Sequence, residues 1–467
     1  METPGWRPAL QTAANEALAY LEALAEAAVG PTISAEAMRA RLDRELPDEP
    51  QDPATVVREL AAAARPGLMG TMSGRFFGYV IGGSQPAALA ADWLTSAWDQ
   101  NAGLWMASPA EAAVEELAGR WLTDLLGLPD EASVGFVTGG QTANLTCLGA
   151  ARHGVLADAG CDVERDGLVG APRIRVLAGA GRHDTVDLAL RLLGLGTAAV
   201  TEVAADADGR MRPDALAAAL DAGQGPVIVC AQAGNVNSGA IDPLGQICEL
   251  GHRHGAWVHV DGAFGLWAGA SPTRRELVAG VDAADSWATD AHKWLNVPYD
   301  SGLAFTAHPA AHRAAMSVHA DYLAHATAGE RDPSDWTPEL SRRGRGFAVY
   351  AALASLGRTG VAALVDRCCD LAARLAEQLA AADGVTVLNE VELNQVLVAF
   401  VPPGGGDADA HTREVIRRVQ QEGTCFATGT VWHGQAALRL SVSNWTTDAD
   451  DVDRSVAAIV ACHQRSR

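Results

Sequence analysis

The sequence lacks the features that place a protein outside the cell or in a membrane. Its 467 residues contain no uninterrupted apolar run of about 18 residues, and the N-terminus lacks the basic start and apolar stretch of a signal peptide. The eight cysteines form no C-x-x-C pair and show no regular spacing, so we interpret them as free thiols in a reducing compartment. We therefore expect a cytoplasmic protein without a membrane partner and without a metal site.

Positive charge is also scarce. The chain carries 35 Lys and Arg against 57 Asp and Glu, a formal net charge of −22. Such a surface repels nucleic acids and anionic lipids, so neither is expected as a partner. Hydrophobic residues make up 48% of the chain and occur in helix-length and strand-length segments, which argues against global disorder and favours a large α/β domain with smaller additions.

Three regions differ in their sequence pattern. Residues 1–85 are rich in Ala, Leu and Glu with helical spacing and predict a helical arm. Residues 86–345 contain two helices and then short apolar strands alternating with helices, which predicts a mostly parallel sheet. Residues 346–467 predict a long helix followed by a small α+β domain with two strands and two helices. The seven strands predicted for the sheet are 134–138, 174–178, 198–203, 227–232, 257–261, 286–289 and 302–305.

Ligands of such sheets bind at the carboxyl ends of the strands, and the chain has a Gly-Gly turn at the first of them. Gly139 and Gly140 separate a strand from a helix, and Gln141 and Thr142 follow. Free N–H groups and the positive end of the helix dipole bind phosphate there, and Gly140 lets the backbone approach closely. A plain turn is the more frequent interpretation of this motif when it stands alone.

Three further residues stand at strand ends. His183 follows the strand at 174–178 and could stack on a planar cofactor, contact a substrate carboxylate, or simply begin a helix. Asp261 ends an apolar strand, where a buried carboxylate needs a partner such as a ring nitrogen, a helix N-terminus or an arginine. Lys293 follows the strand entering Thr289 and lies between His292 and Trp294, a setting suited to an amine that forms an imine.

At these motifs the chain resembles the group II pyridoxal phosphate (PLP)-dependent decarboxylases, the family of the aromatic amino acid, glutamate, histidine and tyrosine decarboxylases. The resemblance implies an α/β fold of type I among PLP-dependent enzymes, with PLP as cofactor and a homodimer in which the N-terminal arm embraces the partner. It runs from about Arg75 to Val442 and rests on Phe76-Phe77-Gly78-Tyr79, Ala107-Ser108-Pro109-Ala110, the Gly-Gly turn, His183, residues 234–242, His259-Val260-Asp261-Gly262-Ala263 and His292-Lys293-Trp294.

The resemblance also implies roles for individual residues. Lys293 would form the internal aldimine with PLP, Asp261 would pair with the pyridine nitrogen, and His183 would stack on the ring. Ala263 would support the opposite face of the ring. The remaining cofactor-binding residues would be Gly140, Gln141, Thr142, Asn237, Asp290 and His292. Tyr79, Leu104 and Trp105 would help line the neighbouring subunit's substrate pocket.

Two positions depart from the family pattern. Asp290 stands where many relatives carry Asn near the phosphate. Relatives also protonate the carbanion left by decarboxylation with a loop tyrosine, and the corresponding loop here, about 324–338, has no tyrosine but places Trp336 near the substrate. Tyr322, just before that loop, and His183 are the alternative proton donors.

Arg439 resembles an arginine that binds a substrate carboxylate in fold relatives, or it is a strand arginine paired with an acid.

We predict that the chain decarboxylates an L-amino acid to an amine and carbon dioxide through an external aldimine that displaces Lys293. The same cofactor also supports aldol-type cleavage, transamination and oxidative decarboxylation-deamination to an aldehyde, and the missing loop tyrosine gives these alternatives weight. A binding protein without cofactor on the same fold is a further alternative. The substrate itself is not predicted from the sequence.

Overall fold

The computed structural model describes residues 5–318 and 330–465. The chain begins with helices whose starts follow familiar sequence signals. Asp52 accepts a hydrogen bond from Thr55 N and caps α3, which starts with a proline, as do α4 and α5. Gly127 adopts φ 71° and ends α5, as the Gly-Leu-Pro sequence predicts. The five helices are α1 (Trp6–Ala23), α2 (Ala35–Leu42), α3 (Pro53–Ala64), α4 (Pro86–Trp98) and α5 (Pro109–Leu126).

A seven-stranded sheet follows, and each predicted strand is found within about two residues of its predicted place. The largest shift is at 198–203, where the first residues form a 3₁₀ turn, so the strand begins only at Val200. The strands are β1 (Ser133–Val137), β2 (Arg175–Gly179), β3 (Val200–Val203), β4 (Val227–Gln232), β5 (Trp257–Asp261), β6 (Ser286–Asp290) and β7 (Gly302–Thr306).

The strand order is β1-β7-β6-β5-β4-β2-β3, and the sheet is mostly parallel as predicted. Only β7 runs antiparallel to its neighbours, β1 and β6. Because the other six strands point the same way, their carboxyl ends form one edge, and the amino end of β7 lies there too, with Gly302 opposite Val137 and Asp290.

Helices cover both faces of this sheet, so β5, β6 and β7 are buried along their whole length. Helix α6 crosses beneath β5, β6 and β7 and begins at the carboxyl end of β1. The helices of this region are α6 (Gly140–Asp158), α7 (Val163–Asp166), α8 (Asp184–Leu192), α9 (Pro213–Asp221), α10 (Leu244–Arg253) and α11 (Pro309–Met316).

The long predicted helix is α12 (Gly346–Ala380), which is interrupted at Gly357, where φ is 60°. In the described part of the chain it is the one helix with the length and apolar composition to cross a membrane. Its early turns pack on α4 and α5, where Trp98 contacts Phe347, and its later turns reach the C-terminal region, where Arg374 pairs with Asp453. These contacts are those of a core helix that connects two parts of one protein.

The C-terminal region has twice the predicted number of strands. Four antiparallel strands in the order β10-β11-β9-β8 pack against two helices. The sequence did not indicate β8, which has only three residues, or β10, where Gly429 interrupts the apolar alternation. The elements are β8 (Val385–Val387), β9 (Gln395–Phe400), α13 (Ala408–Glu422), β10 (Thr428–Trp432), β11 (Gln435–Ser441) and α14 (Ala449–Gln464).

The N-terminal segment is tied to this C-terminal region. Phe77 N donates to Phe426 O at 2.7 Å, and Ser441 N donates to Phe77 O at 3.0 Å. The guanidinium of Arg75 donates to the carbonyl of Ala25 at 2.8 Å. The bonds of Phe77 thus join the first of the three predicted regions to the third, and the division into 1–85, 86–345 and 346–467 remains a prediction.

Candidate functional site

A cavity of about 260 Å³ opens at the carboxyl edge of the large sheet. It collects side chains from the ends of β1, β5 and β6 and from the start of α6 and α8, which the sequence separates by up to about 150 positions. Its lining residues are Gly139, Gly140, Gln141, Asn144, His183, Thr185, Gln232, Gly234, Val236, Asp261, Ala263, Phe264, Asp290, His292 and Lys293.

Lys293 provides the amine of this cavity. Its Nζ lies 2.8 Å from Asp290 Oδ2, and its side chain is 22% exposed, so the amine is accessible from the cavity. Lys293 is the only lysine of the chain, since 34 of the 35 basic residues are arginines. This count is a stronger signal than the His-Lys-Trp motif, because no other side chain can form an imine.

Asp290 and His292 lie beside that lysine. Asp290 is 1% exposed, and its Oδ1 has no hydrogen-bond partner within the described residues. His292 Nδ1 accepts from Ser301 N at 3.1 Å, so a neutral ring carries its proton on Nε2, which lies 3.4 Å from Asp290 Oδ1. Burial lowers the pKa of His292, and the Asp290 carboxylate partly offsets that shift.

The Gly139-Gly140 turn passes so close to His292 and Asp290 that a side chain at either glycine would crowd them. A Cβ at Gly139 would lie 3.0 Å from His292 Cε1, and one at Gly140 would lie 2.8 Å from Asp290 Oδ2. The turn also begins α6, so its free N–H groups face the cavity edge. Gln141 lines the cavity, whereas Thr142 is turned toward Thr138, with 2.7 Å between the hydroxyls.

Asp261 ends β5 and is 5% exposed. Its Oδ2 accepts from Asn144 Nδ2 at 3.2 Å and its Oδ1 from Ala263 N at 3.3 Å. Within the described residues, no ion pair of 4.0 Å or less joins this carboxylate to a Lys, Arg or His. Asp261 is thus a buried carboxyl group that faces the cavity and has no cationic partner of its own, so the cavity is the place from which such a partner can come.

His183 both caps a helix and lines the cavity. Its Nδ1 accepts from Thr185 N at 3.3 Å and lies 2.9 Å from Thr185 Oγ1, so the side chain caps α8. The rest of the ring is exposed and forms part of the cavity wall. A structural role at the helix start therefore fixes one ring nitrogen and leaves the other free for the cavity.

Several predicted site residues lie outside the cavity lining. Asn237 accepts from Thr430 Oγ1 at 2.9 Å and so faces β10. Trp105 N donates to Asp332 Oδ1 at 2.8 Å, which holds the Leu104–Trp105 stretch against the segment after residue 330. Tyr322 lies outside the described residues.

Trp336 also lies away from Lys293. It ends a short 3₁₀ helix next to α11, with its ring 5.3 Å from the His312 ring and 5.3 Å from the Arg331 guanidinium. Its carbonyl accepts from His312 Nε2 at 3.0 Å. The loop comparison placed Trp336 near the substrate, but within this chain the indole packs on the outer side of β1, because its neighbours there supply an aromatic edge and a cation.

Arg439 lies on β11 next to the cavity. Its Nη1 donates to the carbonyl of Val236 at 3.3 Å, and its Nε is buried without a hydrogen-bond partner. Burial lowers the pKa of Arg439, and Tyr79 partly offsets that shift. No Asp or Glu of the described chain pairs with this guanidinium, so it is not the acid-paired strand arginine that the sequence left open.

Sequence reasoning missed Asn144, Thr185 and His259. His259 stands two residues before Asp261 and so points to the same face of β5, and Asn144 stands one helical turn after Gly140. These spacings were visible in the sequence, but only the fold brings α6, α8 and β5 together.

Comparisons with known proteins agree with this geometry. A family model described as the pyridoxal-dependent decarboxylase conserved domain matches residues 35–401. The chain belongs to that family. It is a PLP-dependent amino acid decarboxylase, as predicted, and its sheets and helices confirm fold type I.

Relatives match most of the chain. Tryptophan decarboxylase 1 from Oryza sativa subsp. japonica is 31% identical over 418 residues, 83% of this chain and 80% of that protein. L-2,4-diaminobutyrate decarboxylase from Rhizobium meliloti (strain 1021) is 32% identical over 380 residues, 80% and 74% of the two chains. The structure of Oryza sativa TDC with PLP and tryptamine has a TM-score of 0.90 at 26% identity and covers 98% of this chain and 97% of that one.

The residues of the cavity fit PLP. Asp261, an uncompensated buried carboxylate, suits a protonated pyridine nitrogen, and the glycine turn at the start of α6 suits a phosphate. The single lysine reaches the same cavity. The cofactor prediction and the family prediction are thus confirmed by independent observations.

Proposed function

We propose that the decarboxylase acts on an L-amino acid, with Lys293 as the amine that holds PLP, Asp261 at the pyridine nitrogen and His183 on the ring face. The observation that carries this proposal is that one cavity contains the only lysine of the chain and a buried carboxylate without a cation. PLP, when covalently joined to an amine, withdraws the electron pair of a breaking bond at the α carbon into its ring.

Three side chains of the cavity would hold the cofactor ring. Asp261 as a carboxylate keeps a proton on the pyridine nitrogen, which makes the ring a stronger electron acceptor. His183 presents its free ring nitrogen to the cavity, and Ala263 leaves the opposite wall flat because its side chain is a single methyl group. Both residues are therefore suited to hold a planar ring between them.

The phosphate is assigned to the start of α6. Gly139 and Gly140 supply backbone N–H groups, and Gln141 and the neutral His292 supply side-chain donors. Asp290 lies at the same edge of the cavity, with its Oδ2 2.8 Å from Lys293 Nζ, so it is proposed to orient that amine rather than to bind the phosphate. Thr142 is proposed to hold the phosphate turn in place through Thr138, and Asn237 to hold β10 in place through Thr430.

Arg439 is proposed to bind a carboxylate of the substrate. Its guanidinium is desolvated, lacks an acidic partner and lies beside Val236 of the cavity wall. A charge-assisted bond there satisfies the buried donor Nε and aligns the substrate. Tyr79 is 56% exposed near Arg439 and is proposed to help line the partner's substrate pocket.

The single lysine allows a direct test of the cofactor site. Holoprotein is reduced with borohydride, which makes the bond between PLP and its amine permanent, and is then digested with a lysine-specific protease. Unreduced protein should give two fragments from one cut after Lys293, and reduced protein should stay uncut and carry a pyridoxyl group at that residue. Cleavage at Lys293 after reduction would refute the assignment.

The reaction is tested with a panel of L-amino acids. Carbon dioxide and the corresponding amine should form from at least one of them, and Lys293→Arg should form neither. This variant keeps the positive charge beside Asp290 but cannot form an imine, so it serves as the matched control. Aldehyde with oxygen consumption, or a requirement for a keto acid, would contradict simple decarboxylation.

We further propose a homodimer in which the N-terminal arm covers a second copy. Helix α1 has no buried residue although it carries Trp6, Leu10 and Leu18, which are 54–66% exposed. On α4, Trp93 and Trp98 are 44% and 49% exposed. A groove of about 790 Å³ runs between α1, α4 and Trp445. Exposed apolar faces of this extent favour association with another chain.

Light scattering after gel filtration tests the dimer. The wild-type chain of 48.5 kDa should give twice that mass, and removal of residues 1–24 should shift it toward the monomer. Leu104, Trp105 and Trp336 are proposed to approach the partner's substrate pocket, so a monomeric variant should lose activity more than it loses PLP. A monomeric wild-type protein with full activity would refute this arrangement.

A cytoplasmic location is proposed on the basis of the cysteines. All eight are unpaired and seven are buried, which suits a reducing compartment. Fractionation of cells that produce the protein, followed by immunoblotting, tests this, and recovery in a secreted fraction would refute it.

A further inference from the structure

Asp261 is joined to a line of buried hydrogen bonds that runs away from the cavity. Ser286 and His259 are 0% exposed and Asn144 is 1% exposed, so water does not reach these bonds. The bonds join Trp257 Nε1 to Ser286 Oγ (2.9 Å), Ser286 Oγ to His259 Nδ1 (3.0 Å), His259 Nε2 to Asn144 Oδ1 (2.9 Å) and Asn144 Nδ2 to Asp261 Oδ2 (3.2 Å).

The two ends of this line fix the direction of every bond in it. An indole N–H only donates, so Ser286 Oγ accepts from Trp257, and its own proton remains available for His259 Nδ1 once Nε2 is the donor to Asn144. A carboxylate only accepts, so Asn144 turns its amide nitrogen to Asp261 and its oxygen to His259 Nε2. His259 therefore carries one proton, on Nε2.

The charge state of His259 agrees with this direction. Burial lowers the pKa of His259 to about 3, so the ring is neutral at physiological pH. A neutral imidazole has one donor and one acceptor, and both are used here. The line of bonds therefore delivers a donor to Asp261 without bringing a second charge near it.

A branch connects the same asparagine to His183. Asn144 Nδ2 also donates to Thr185 Oγ1 at 3.1 Å, and Thr185 Oγ1 lies 2.9 Å from His183 Nδ1. Because the hydroxyl accepts from Asn144, its proton goes to His183 Nδ1, which also receives Thr185 N–H at 3.3 Å. A neutral His183 ring then carries its proton on Nε2, on the side of the cavity.

We propose that Asn144, with His259 and Ser286 behind it, is the positioning residue that sets both Asp261 and His183. It holds Asp261 as an acceptor for the pyridine nitrogen and fixes the His183 ring with Nε2–H toward the cofactor. We call these residues, together with Trp257 and Thr185, the donor relay. The proposal rests on the proposed roles of Asp261 and His183. It extends the support of these two residues to members of the donor relay that do not touch PLP.

The fold makes this arrangement rigid. The donor relay draws on α6, α8, β5 and β6, and its central bonds span more than 100 positions of sequence. A buried hydrogen-bond network with one bond missing is less stable than an intact one, so the loss of one donor affects every residue of the network. Removal of the Asn144 amide should therefore disturb Asp261 and His183 together.

Asn144→Asp is the primary test because it removes the amide donor at constant size. It places an anionic oxygen about where Nδ2 lies 3.2 Å from Asp261 Oδ2. Two carboxylates at that distance do not both stay ionised, so Asp261 loses part of its preference for a pyridinium. We expect PLP to dissociate roughly tenfold more readily or worse, and the visible absorbance and circular dichroism of bound PLP to become pH-dependent near neutrality.

Asn394→Asp is the matched control. Asn394 is 0% exposed, and its Nδ2 also makes two bonds, to Val442 O at 2.9 Å and Ser443 Oγ at 3.0 Å, in the C-terminal region. Its cofactor spectrum should match wild type at every pH. Equal loss of PLP in both variants, or wild-type affinity and spectrum in Asn144→Asp, would overturn the proposal.

Ser286→Ala tests the distal part of the donor relay. It leaves the contacts of Asn144 with Asp261 and Thr185 in place but removes the hydroxyl that fixes the His259 tautomer. A weaker change in the same spectral direction is expected, whereas Ser271→Ala, which removes another fully buried hydroxyl that is bonded to Asp366 outside the donor relay, should give none. No spectral change in Ser286→Ala overturns the extended relay. A wild-type chain that takes up no PLP refutes the proposed function itself, and the relay with it.

Discussion

Gly302 packs against the Gly139-Gly140 turn, which is proposed to bind the phosphate, so Gly302→Ala should weaken PLP binding. The residue begins β7 and lies opposite the end of β1. A Cβ there would come within 2.6 Å of the backbone N and 2.5 Å of the carbonyl C of Gly139. Backbone atoms cannot rotate away as a side chain does, so the Gly139-Gly140 turn must move by roughly half an ångström or more.

The expected size of this effect follows from the cost of overpacking. Small-to-large changes in a packed interior cost about 1–3 kcal/mol. If most of that strain falls on the turn, PLP affinity should drop by about 10- to 100-fold, since about 1.4 kcal/mol corresponds to a factor of ten. Gly302 is not among the glycines with positive φ, so alanine itself fits the strand conformation and global unfolding is not expected.

The assay is titration of the apoprotein with PLP, followed by the visible absorbance of the bound cofactor. Gly149→Ala is the control, because it lies on α6 as well but its Cβ would meet Met316 Cε, the flexible end of a side chain, at 2.8 Å. The control should bind PLP like wild type and gain helix propensity. A Gly302→Ala protein that is folded and binds PLP with wild-type affinity would show that the turn does not carry the phosphate.

Three further predictions concern other buried groups. Burial, and to a smaller extent repulsion from a neighbouring glutamate, raises the pKa of Glu111 from 4.5 to about 8. Between these two pH values the folded state holds a proton that the unfolded state has lost. The wild-type unfolding free energy should therefore fall by a few kcal/mol as the pH rises from 4.5 to about 8. Glu111→Gln should lack this slope in melting temperatures measured across pH, and parallel curves would refute the raised pKa. Arg439→Gln should lower kcat/KM by about 10- to 100-fold through loss of a charged hydrogen bond, whereas Arg374→Gln on the surface should not change it; equal kinetics would remove Arg439 from the substrate site. Native alkylation followed by intact mass spectrometry should modify only the half-buried Cys161, and rapid labelling of several thiols would contradict the buried positions of the other seven.

Much of the fold was predictable because its signals are local. Apolar runs bounded by Gly, Asp and Pro located all seven strands of the sheet, and glycine and proline marked the helix ends. The strands that escaped prediction, β8 and β10, are short or contain glycine, so their formation depends on pairing with β9 and β11. Local propensity was too weak there to decide the structure.

The site was predictable where a residue's position along a strand fixed its place. Asp261 and Lys293 follow strands whose carboxyl ends meet at one edge, so the sequence placed them in one cavity. Trp336 and Arg439 were different, because their surroundings come from distant segments. Only the fold showed that Trp336 packs beside His312 and that Arg439 has no acidic partner among the described residues.

The sequence by itself determined the chemistry that this protein can perform. With Lys293 as the only lysine, composition alone leaves one candidate side chain for the proposed imine, whatever the fold. The tertiary structure decided how that chemistry is supported, because Asn144, Asp261 and Ser286 lie on different elements and donate or accept only when those elements pack. Hydrogen-bond direction depends on which groups face each other in space, and the spacing of residues along the chain does not contain that information.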